Sequence, residues 1–176
     1  MILNKPFGKQ STADRPRIRP EKEPVDFLLE IAGLLAVVAL VILTAIKYPG
    51  LPNRIPTHFN GSGLPDDYSG KGMIWLLPGI AVLMFAGISA LNRFPYIFNF
   101  PVNITPENAE RMYRHAARYM RLLNLLLVIL FFYLSWQTIA VATAKSSGLG
   151  LWFLPVSVGT ILIVSVYMVI RMFKLK

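Results

Sequence analysis

The 176-residue chain contains no cysteine, and only 15% of its residues are charged. The absence of cysteine excludes disulfide bonds, thiolate nucleophiles and metal sites with sulfur ligands. A soluble domain carries about 25% charged residues, so this shortage, beside 55% hydrophobic residues, is typical of a membrane protein. The formal net charge of +9 is therefore interpreted first as a matter of membrane topology.

Four stretches are nearly free of charge and about as long as the 20 residues that a helix needs to cross a bilayer. They are residues 27–46, 73–91, 122–144 and 149–170. The sequence therefore predicts an all-α integral membrane protein, with four transmembrane helices in a single domain over residues 27–176. The 26 residues before the first stretch hold prolines and mixed charge, which favours a retained anchor over a cleaved signal peptide.

Lysine and arginine are distributed unequally between the two sides of this predicted domain. Six lie in residues 1–26, five in the loop and helix at residues 92–121, and three after the last span. The other side holds Lys47, Arg54, Lys71 and Lys145. Because cytoplasmic segments carry the excess of basic residues, we expect both termini in the cytoplasm. Residues 1–26 are then a disordered basic tail, and residues 47–72 are an outer loop.

Residues 105–121 are predicted to form an amphipathic helix on the cytoplasmic side. Its arginines follow one another at spacings of three and four, which places them on one stripe: Arg111, Arg114, Arg118 and Arg121. We expect the helix to lie in the membrane interface with this stripe on anionic lipid headgroups. A docking face for a cytoplasmic protein is the alternative. Nucleic acid is not expected as a partner, because topology already accounts for the basic charge.

One carboxylate, Glu30, interrupts the first span about one turn from its cytoplasmic end. An intramembrane carboxylate is a candidate functional group. The shallow position, however, lets this one reach interfacial water or a basic neighbour, and we favour that interpretation.

The loop between the first two spans contains IPTHFNGSGLPDDYSGK, residues 55–71. Pro56 favours an extended segment at 55–60, residues 61–63 a tight reversal, and Pro65 with Asp66 a second turn. The residues predicted to shape the loop are Pro56, Phe59, Gly61, Gly63 and Pro65. Turn chemistry leaves four polar residues unexplained, and these are the candidate ligand-binding residues: His58, Asn60, Asp66 and Lys71.

Two chemical alternatives apply to the same loop. Ser62, His58 and Asp66 have the residue types of a nucleophilic triad, but the sequence has no nucleophile-elbow motif. A zinc site is disfavoured because the loop has neither an HExxH motif nor a second histidine. We therefore predict no catalytic residue, metal or cofactor, and keep a metal-dependent enzyme at the membrane interface as an alternative.

The loop motif, directly after a first span and before a second, resembles the signature of a bacterial membrane-protein family of unknown function. That family also forms the N-terminal domain of SdpI-like immunity proteins. The matching elements are IPxHFN, G, PD and a lysine before the second span: Ile55, Pro56, His58, Phe59, Asn60, Gly63, Pro65, Asp66 and Lys71. The segment at residues 103–121 is also similar to the one that such proteins place before their third span.

The resemblance covers roughly residues 28–144 and implies a multi-pass protein of the bacterial inner membrane. It further implies recognition of an extracytoplasmic peptide or envelope ligand, in immunity or in signalling with a cytoplasmic protein partner. The C-terminal helical part of SdpI-like immunity proteins is expected to be missing or reduced here. A subunit or scaffold of a larger membrane complex is the alternative function.

Overall fold

The computed structural model describes residues 10–175. Four long helices are α1 (Pro24–Lys47), α2 (Leu76–Leu91), α3 (Ala109–Ala142) and α4 (Phe153–Lys174). Between α1 and α2 lie two strands, β1 (Arg54–Phe59) and β2 (Pro65–Gly70). The helices, α1 and α2 together with their adjoining 3-10 turns, are each long and apolar enough to cross a membrane. The chain therefore has the architecture of a multi-pass membrane protein in contact with the lipid bilayer.

Helix α3 lies at the centre of the bundle, because it contacts each of the other three helices. Helices α1 and α2 also touch one another, and the Phe85 ring lies where a side chain on Gly33 would stand, 2.7 Å from an added Cβ. Such close approach through a small residue is common between membrane helices. Helix α4 packs least, since Met172 is its one buried residue.

The amphipathic segment predicted at residues 105–121 is continuous with the third span rather than a separate helix. Helix α3 has 34 residues, which at 1.5 Å per residue is about 51 Å, whereas the hydrocarbon core measures about 30 Å. One end of α3 therefore extends beyond the bilayer. The helix begins at Ala109, after a turn in which the Thr105 carbonyl accepts hydrogen bonds from the Asn108 and Ala109 amides.

The bundle has two ends, which we call the terminal face and the hairpin face. The terminal face comprises residues 10–23, the loop at 92–108 and the first turns of α3, and the hairpin face comprises residues 48–75 and the loop at 143–152. Helix α4 begins four residues later than the predicted span, because the backbone amide of Leu149 is held by the hairpin at 2.8 Å. Helix α2 is preceded by a 3-10 turn over Lys71–Trp75, which accounts for the first residues of the second predicted span.

Residues 10–23 differ from the disordered tail that we expected. Gln10 exchanges two hydrogen bonds with the backbone of Ile104, and the Arg15 guanidinium donates to the carbonyls of Tyr96 and Phe98 at 2.9 and 2.6 Å. Arginine–aromatic stacking continues along the same segment, with Arg15, Arg17 and Arg19 over Phe100, Tyr96 and Phe94. These cation–π contacts and backbone hydrogen bonds offset the low hydrophobicity of the segment. The rest of the predicted tail, residues 1–9, and residue 176 lie outside the described residues.

The β-hairpin makes the fold mostly helical rather than all-α. Strands β1 and β2 pair antiparallel from Arg54 opposite Gly70 to Phe59 opposite Pro65, with an irregular register around His58. The predicted extended segment and tight reversal are both present, and Gly63 takes a φ of +76°. The predicted second turn at Pro65 and Asp66 is wrong. The reversal at residues 61–63 already returns the chain, so these two residues begin β2.

Candidate functional site

Two of the four candidate ligand-binding residues meet on the hairpin. His58 Nδ1 lies 2.5 Å from Asp66 Oδ1, and the two side chains are 67% and 41% exposed. They meet because β1 and β2 are paired and the register slips at His58. A carboxylate only accepts hydrogen bonds, so Nδ1 carries the hydrogen and Nε2 is left to interact with another group. The pair thus holds an oriented imidazole at the protein surface.

Asn60 has a structural role in the turn. Its side-chain oxygen accepts hydrogen bonds from the backbone amides of Ser62 and Leu64, at 2.9 and 3.1 Å. An asparagine that bonds to the backbone just after it is a frequent turn-forming device. The side-chain oxygen is therefore committed to the reversal, and the amide nitrogen is the part of Asn60 that can contact a ligand.

Lys71 lies at the opposite end of the hairpin from the turn. Its ammonium group lies 5.1 Å from the centroid of the Tyr48 ring, and its backbone amide donates to the Asn53 carbonyl at 3.0 Å. This cation–π contact fixes the lysine at the junction of α1, the hairpin and α2. Lys71 is therefore not brought together with the His58–Asp66 pair.

A cavity of about 300 Å³ lies beneath β1. His58 and Asn60 border it on the hairpin side. The apolar lining comes from α2, its preceding turn, α3, α4 and the loop before α4, and includes Met73, Leu77, Leu134, Leu149, Phe153 and Leu154. A few polar groups around a mainly apolar cavity is the usual composition of a site for a small ligand or a ligand side chain. His58 belongs both to this cavity and to the exposed pair with Asp66.

The tip of the hairpin is fixed to the loop between α3 and α4. The Leu149 amide donates to the Gly63 carbonyl at 2.8 Å, and the Tyr133 hydroxyl donates to the Leu149 carbonyl at 2.7 Å. A Cβ on Gly148 would collide with the Gly63 carbonyl oxygen. These contacts hold the hairpin tip against the loop at Leu149, which lines the cavity beneath β1.

The residues predicted to shape the loop differ in what they do. Pro56 and Gly63 are buried, and Phe59 is half-buried at the cavity. Gly63 has a positive φ, a backbone conformation that residues with a side chain rarely adopt. Gly61 is exposed, and an added Cβ would meet nothing within 4 Å. Pro65 begins β2.

Three of the four arginines in the α3 stripe pair with carboxylates at the start of α1. Arg114 pairs with Glu23 at 3.0 Å, Arg118 with Asp26 at 3.0 Å, and Arg121 with Glu30 at 2.7 Å. We call these six residues the interhelical charge cluster. The Asp26 side chain is 1% exposed and that of Arg121 is 8% exposed. Charges buried to this degree require partners, which is why three of the four arginines turn inward.

Three other features of the charged residues at this end of the bundle concern Arg111, Glu30 and Glu23. Arg111 is exposed, and among the described residues no carboxylate lies within 4.0 Å of it. It is therefore the member of the stripe that fits the predicted headgroup contact. Glu30 also accepts from Lys22 at 2.7 Å, so the interpretation that a basic neighbour satisfies this carboxylate is confirmed. Hydrogen bonds from Arg118 and Arg114 lower the pKa of Glu23.

The sequence contains a signal for the charge cluster that no single motif reveals. Glu23, Asp26 and Glu30 are spaced by three and four residues, and Arg114, Arg118 and Arg121 by four and three. At helical spacing each series forms one stripe, the acidic one across the start of the first predicted span and the basic one just before the third. Two matching stripes of opposite charge on the same side of the membrane indicate a contact between those helices.

The structure does not assemble the chemical alternatives considered for the loop. In residues 10–175, no group of three or more histidine, aspartate or glutamate side chains lies close enough to hold a metal ion. Ser62 uses its backbone amide in the turn, and no hydrogen bond joins its hydroxyl to His58 within the described range. The histidine–carboxylate contact of a nucleophilic triad is therefore present, but the contact between the serine nucleophile and the histidine is absent among the described residues.

The fold and the site define a four-helix membrane protein with a β-hairpin over a small apolar cavity. Residues 35–82 match the family described as "Domain of unknown function (DUF1648)". That stretch contains the second half of α1, the whole hairpin and the start of α2. An uncharacterized protein of Archaeoglobus fulgidus is 28% identical over 109 residues, which are 56% of this chain and 60% of the relative. The chain thus spans less than two thirds of the length of that relative. No solved structure matches.

Proposed function

We propose that this chain recognises an extracytoplasmic peptide ligand through its hairpin. The observation that carries the proposal is the position of His58, which borders the cavity beneath β1 and pairs with Asp66 at the surface. An apolar side chain of the ligand fills the cavity. A hydrogen-bond donor next to that side chain, such as a backbone amide, donates to Nε2 of the oriented imidazole, and the Asn60 amide donates to a neighbouring acceptor.

The size of the cavity is consistent with this class of ligand. A water molecule occupies about 30 Å³ of liquid, so a cavity of about 300 Å³ accepts one large apolar group rather than a whole folded partner. A peptide places such a group between a backbone amide and a backbone carbonyl, which supply the donor for His58 and the acceptor for the Asn60 amide. The site is therefore suited to an anchoring residue of a longer chain.

The proposed orientation puts both termini in the cytoplasm and the hairpin outside a bacterial inner membrane. It rests on the excess of basic residues in residues 10–22, 92–121 and 171–174. Helix α3 runs without interruption from Arg114 and Arg118 in the charge cluster to Leu134 and Thr138 at the cavity. We infer a signalling or immunity role of the SdpI-like type. In this role, ligand binding at the hairpin changes, through α3, the binding of a cytoplasmic partner near the exposed Arg111.

The experiment compares two adjacent aspartates. A host strain lacking the gene is challenged with secreted antimicrobial peptides and complemented with the native chain, His58→Ala, Asp66→Asn or Asp67→Asn. Asp67 is exposed, and among the described residues the hydrogen bond recorded for its side chain is from the neighbouring Tyr68 amide, so its variant is the control. We expect protection against particular peptides to be lost with the first two variants and kept with Asp67→Asn. Full protection by correctly folded His58→Ala protein contradicts the proposal.

Two other functions have an observation in their favour. The weakly packed helix α4 suits a subunit of a larger complex, and co-purification of a stoichiometric partner in mild detergent tests it. The Nε2 atom of His58, oriented by a carboxylate, suits a metal-dependent enzyme. Metal analysis of the purified protein tests that function, and protein without bound metal counts against it.

A further inference from the structure

A second cavity, of about 640 Å³, lies at the terminal face between the segment before α1, α1 itself, the end of α2 and the first half of α3. Its basic lining residues are Arg19, Lys22, Arg93 and Arg121, and its one carboxylate is Glu30. Arg121 also pairs with Asp26 at 3.4 Å, so four positive charges against these two negative charges leave an excess of two positive charges. A cavity with this balance attracts an anion.

Two of these cations are not used by the protein's own carboxylates. Glu30 is occupied by Arg121 and Lys22, both at 2.7 Å. Neither Arg19 nor Arg93 has a carboxylate within 4.0 Å in residues 10–175. Arg19 is held by stacking on Phe94, 5.8 Å from its ring centroid. The cavity therefore presents two arginines to an anionic group from outside.

The other wall of the cavity is apolar and lies deeper in the bundle. Ile31 and Leu34 of α1 and Phe85 of α2 form it. Leu34 lies one helical turn beyond Glu30, which is about 6 Å along the axis, and its side chain is 52% exposed. An inorganic anion would contact only the basic mouth. A molecule with an anionic head and an apolar chain would contact both parts.

We propose that this cavity binds one anionic glycerophospholipid. The phosphate bonds to Arg19 and Arg93, and the first part of an acyl chain lies along Leu34 and Phe85. Asn92 borders the same cavity, and its buried side-chain oxygen has no hydrogen-bond partner among the described residues. Such an oxygen is satisfied by a donor, which a glycerol headgroup supplies. Phosphatidylglycerol is therefore the lipid that fits best, and the site is separate from the ligand cavity at the hairpin.

Lipid retention measures this site directly. Purified protein is given equal amounts of phosphatidylglycerol and phosphatidylcholine with the same acyl chains, and the bound lipid is counted by native mass spectrometry. We expect one phosphatidylglycerol per chain to be retained in preference to phosphatidylcholine. Arg19→Gln and Arg93→Gln should each weaken that binding about fivefold, which is the usual contribution of one basic residue at an anionic surface.

Arg171→Gln is the matched control, because Arg171 is exposed near the end of α4 and does not line the cavity. It should keep the preference for phosphatidylglycerol. Equal retention by the native chain and the two cavity variants overturns the proposal, as does an equal loss in Arg171→Gln. The melting temperature gives a second measurement. Phosphatidylglycerol should raise it, and a similar rise with inorganic phosphate alone would mean a phosphate site instead of a lipid site.

Discussion

Arg118 donates two parallel hydrogen bonds to Asp26, from Nε to Oδ1 and from Nη2 to Oδ2, both at 3.0 Å. This bidentate geometry is the strongest that arginine makes with a carboxylate. It joins the first turn of α1 to the third turn of α3, near the terminal face. Because Asp26 is almost fully buried, the pair works as a structural clamp between the two helices.

We predict that Arg118→Gln destabilises the folded protein by about 3 kcal/mol, since it leaves a buried carboxylate without its main partner. Arg111→Gln is the control on the same stripe, because Arg111 is exposed and has no carboxylate partner among the described residues. Its effect should stay below about 0.5 kcal/mol. Reversible unfolding in mixed micelles measures both. Equal stability of the two variants would mean that the clamp does not contribute to folding.

The ion pairs of Glu23 with Arg114 and Arg118 should weaken in acid. Hydrogen bonds from Arg118 and Arg114 lower the pKa of Glu23 below its ordinary value of about 4.3. A carboxylate whose pKa is lowered by folding stabilises the protein above the unfolded pKa, and that contribution is lost as the pH falls through the lowered value. We expect the melting temperature to fall below about pH 4.3, and Glu23→Gln to fall less steeply there. Identical pH profiles would contradict this assignment.

The contact between the hairpin tip and the loop before α4 gives a prediction about two glycines. Gly148→Ala should destabilise the protein by about 1–3 kcal/mol, the usual cost of forcing extra atoms into a packed site, because the new methyl group collides with the Gly63 carbonyl. Gly61→Ala is the control, since a Cβ there meets nothing within 4 Å. Hydrogen exchange of the hairpin amides reports the same contact. Faster exchange in both variants, or in neither, would contradict it.

The sequence predicted correctly those parts of the structure that depend on local residue patterns. The four membrane helices follow from long uncharged runs, and the extended segment at residues 55–60 follows from Pro56. It did not predict the contacts between residues that are far apart in the chain. Arg15 is ordered by carbonyls more than 80 positions away, and Arg118 by a carboxylate 92 positions away. In the site, the meeting of His58 with Asp66 depends on a register slip, while the turn role of Asn60 is a local motif that the sequence already contained.

Orientation in the membrane is tested with single cysteines, which the natural chain lacks altogether. Ser146→Cys lies in the loop that supports the hairpin, and Ser11→Cys lies in the segment that packs on the terminal face. The excess of basic residues at the terminal face predicts that this end is cytoplasmic. An impermeant maleimide added to intact cells should therefore label Ser146→Cys and leave Ser11→Cys unlabelled until the cells are opened. The reverse pattern would place the hairpin in the cytoplasm, and recognition of an external peptide would then be excluded.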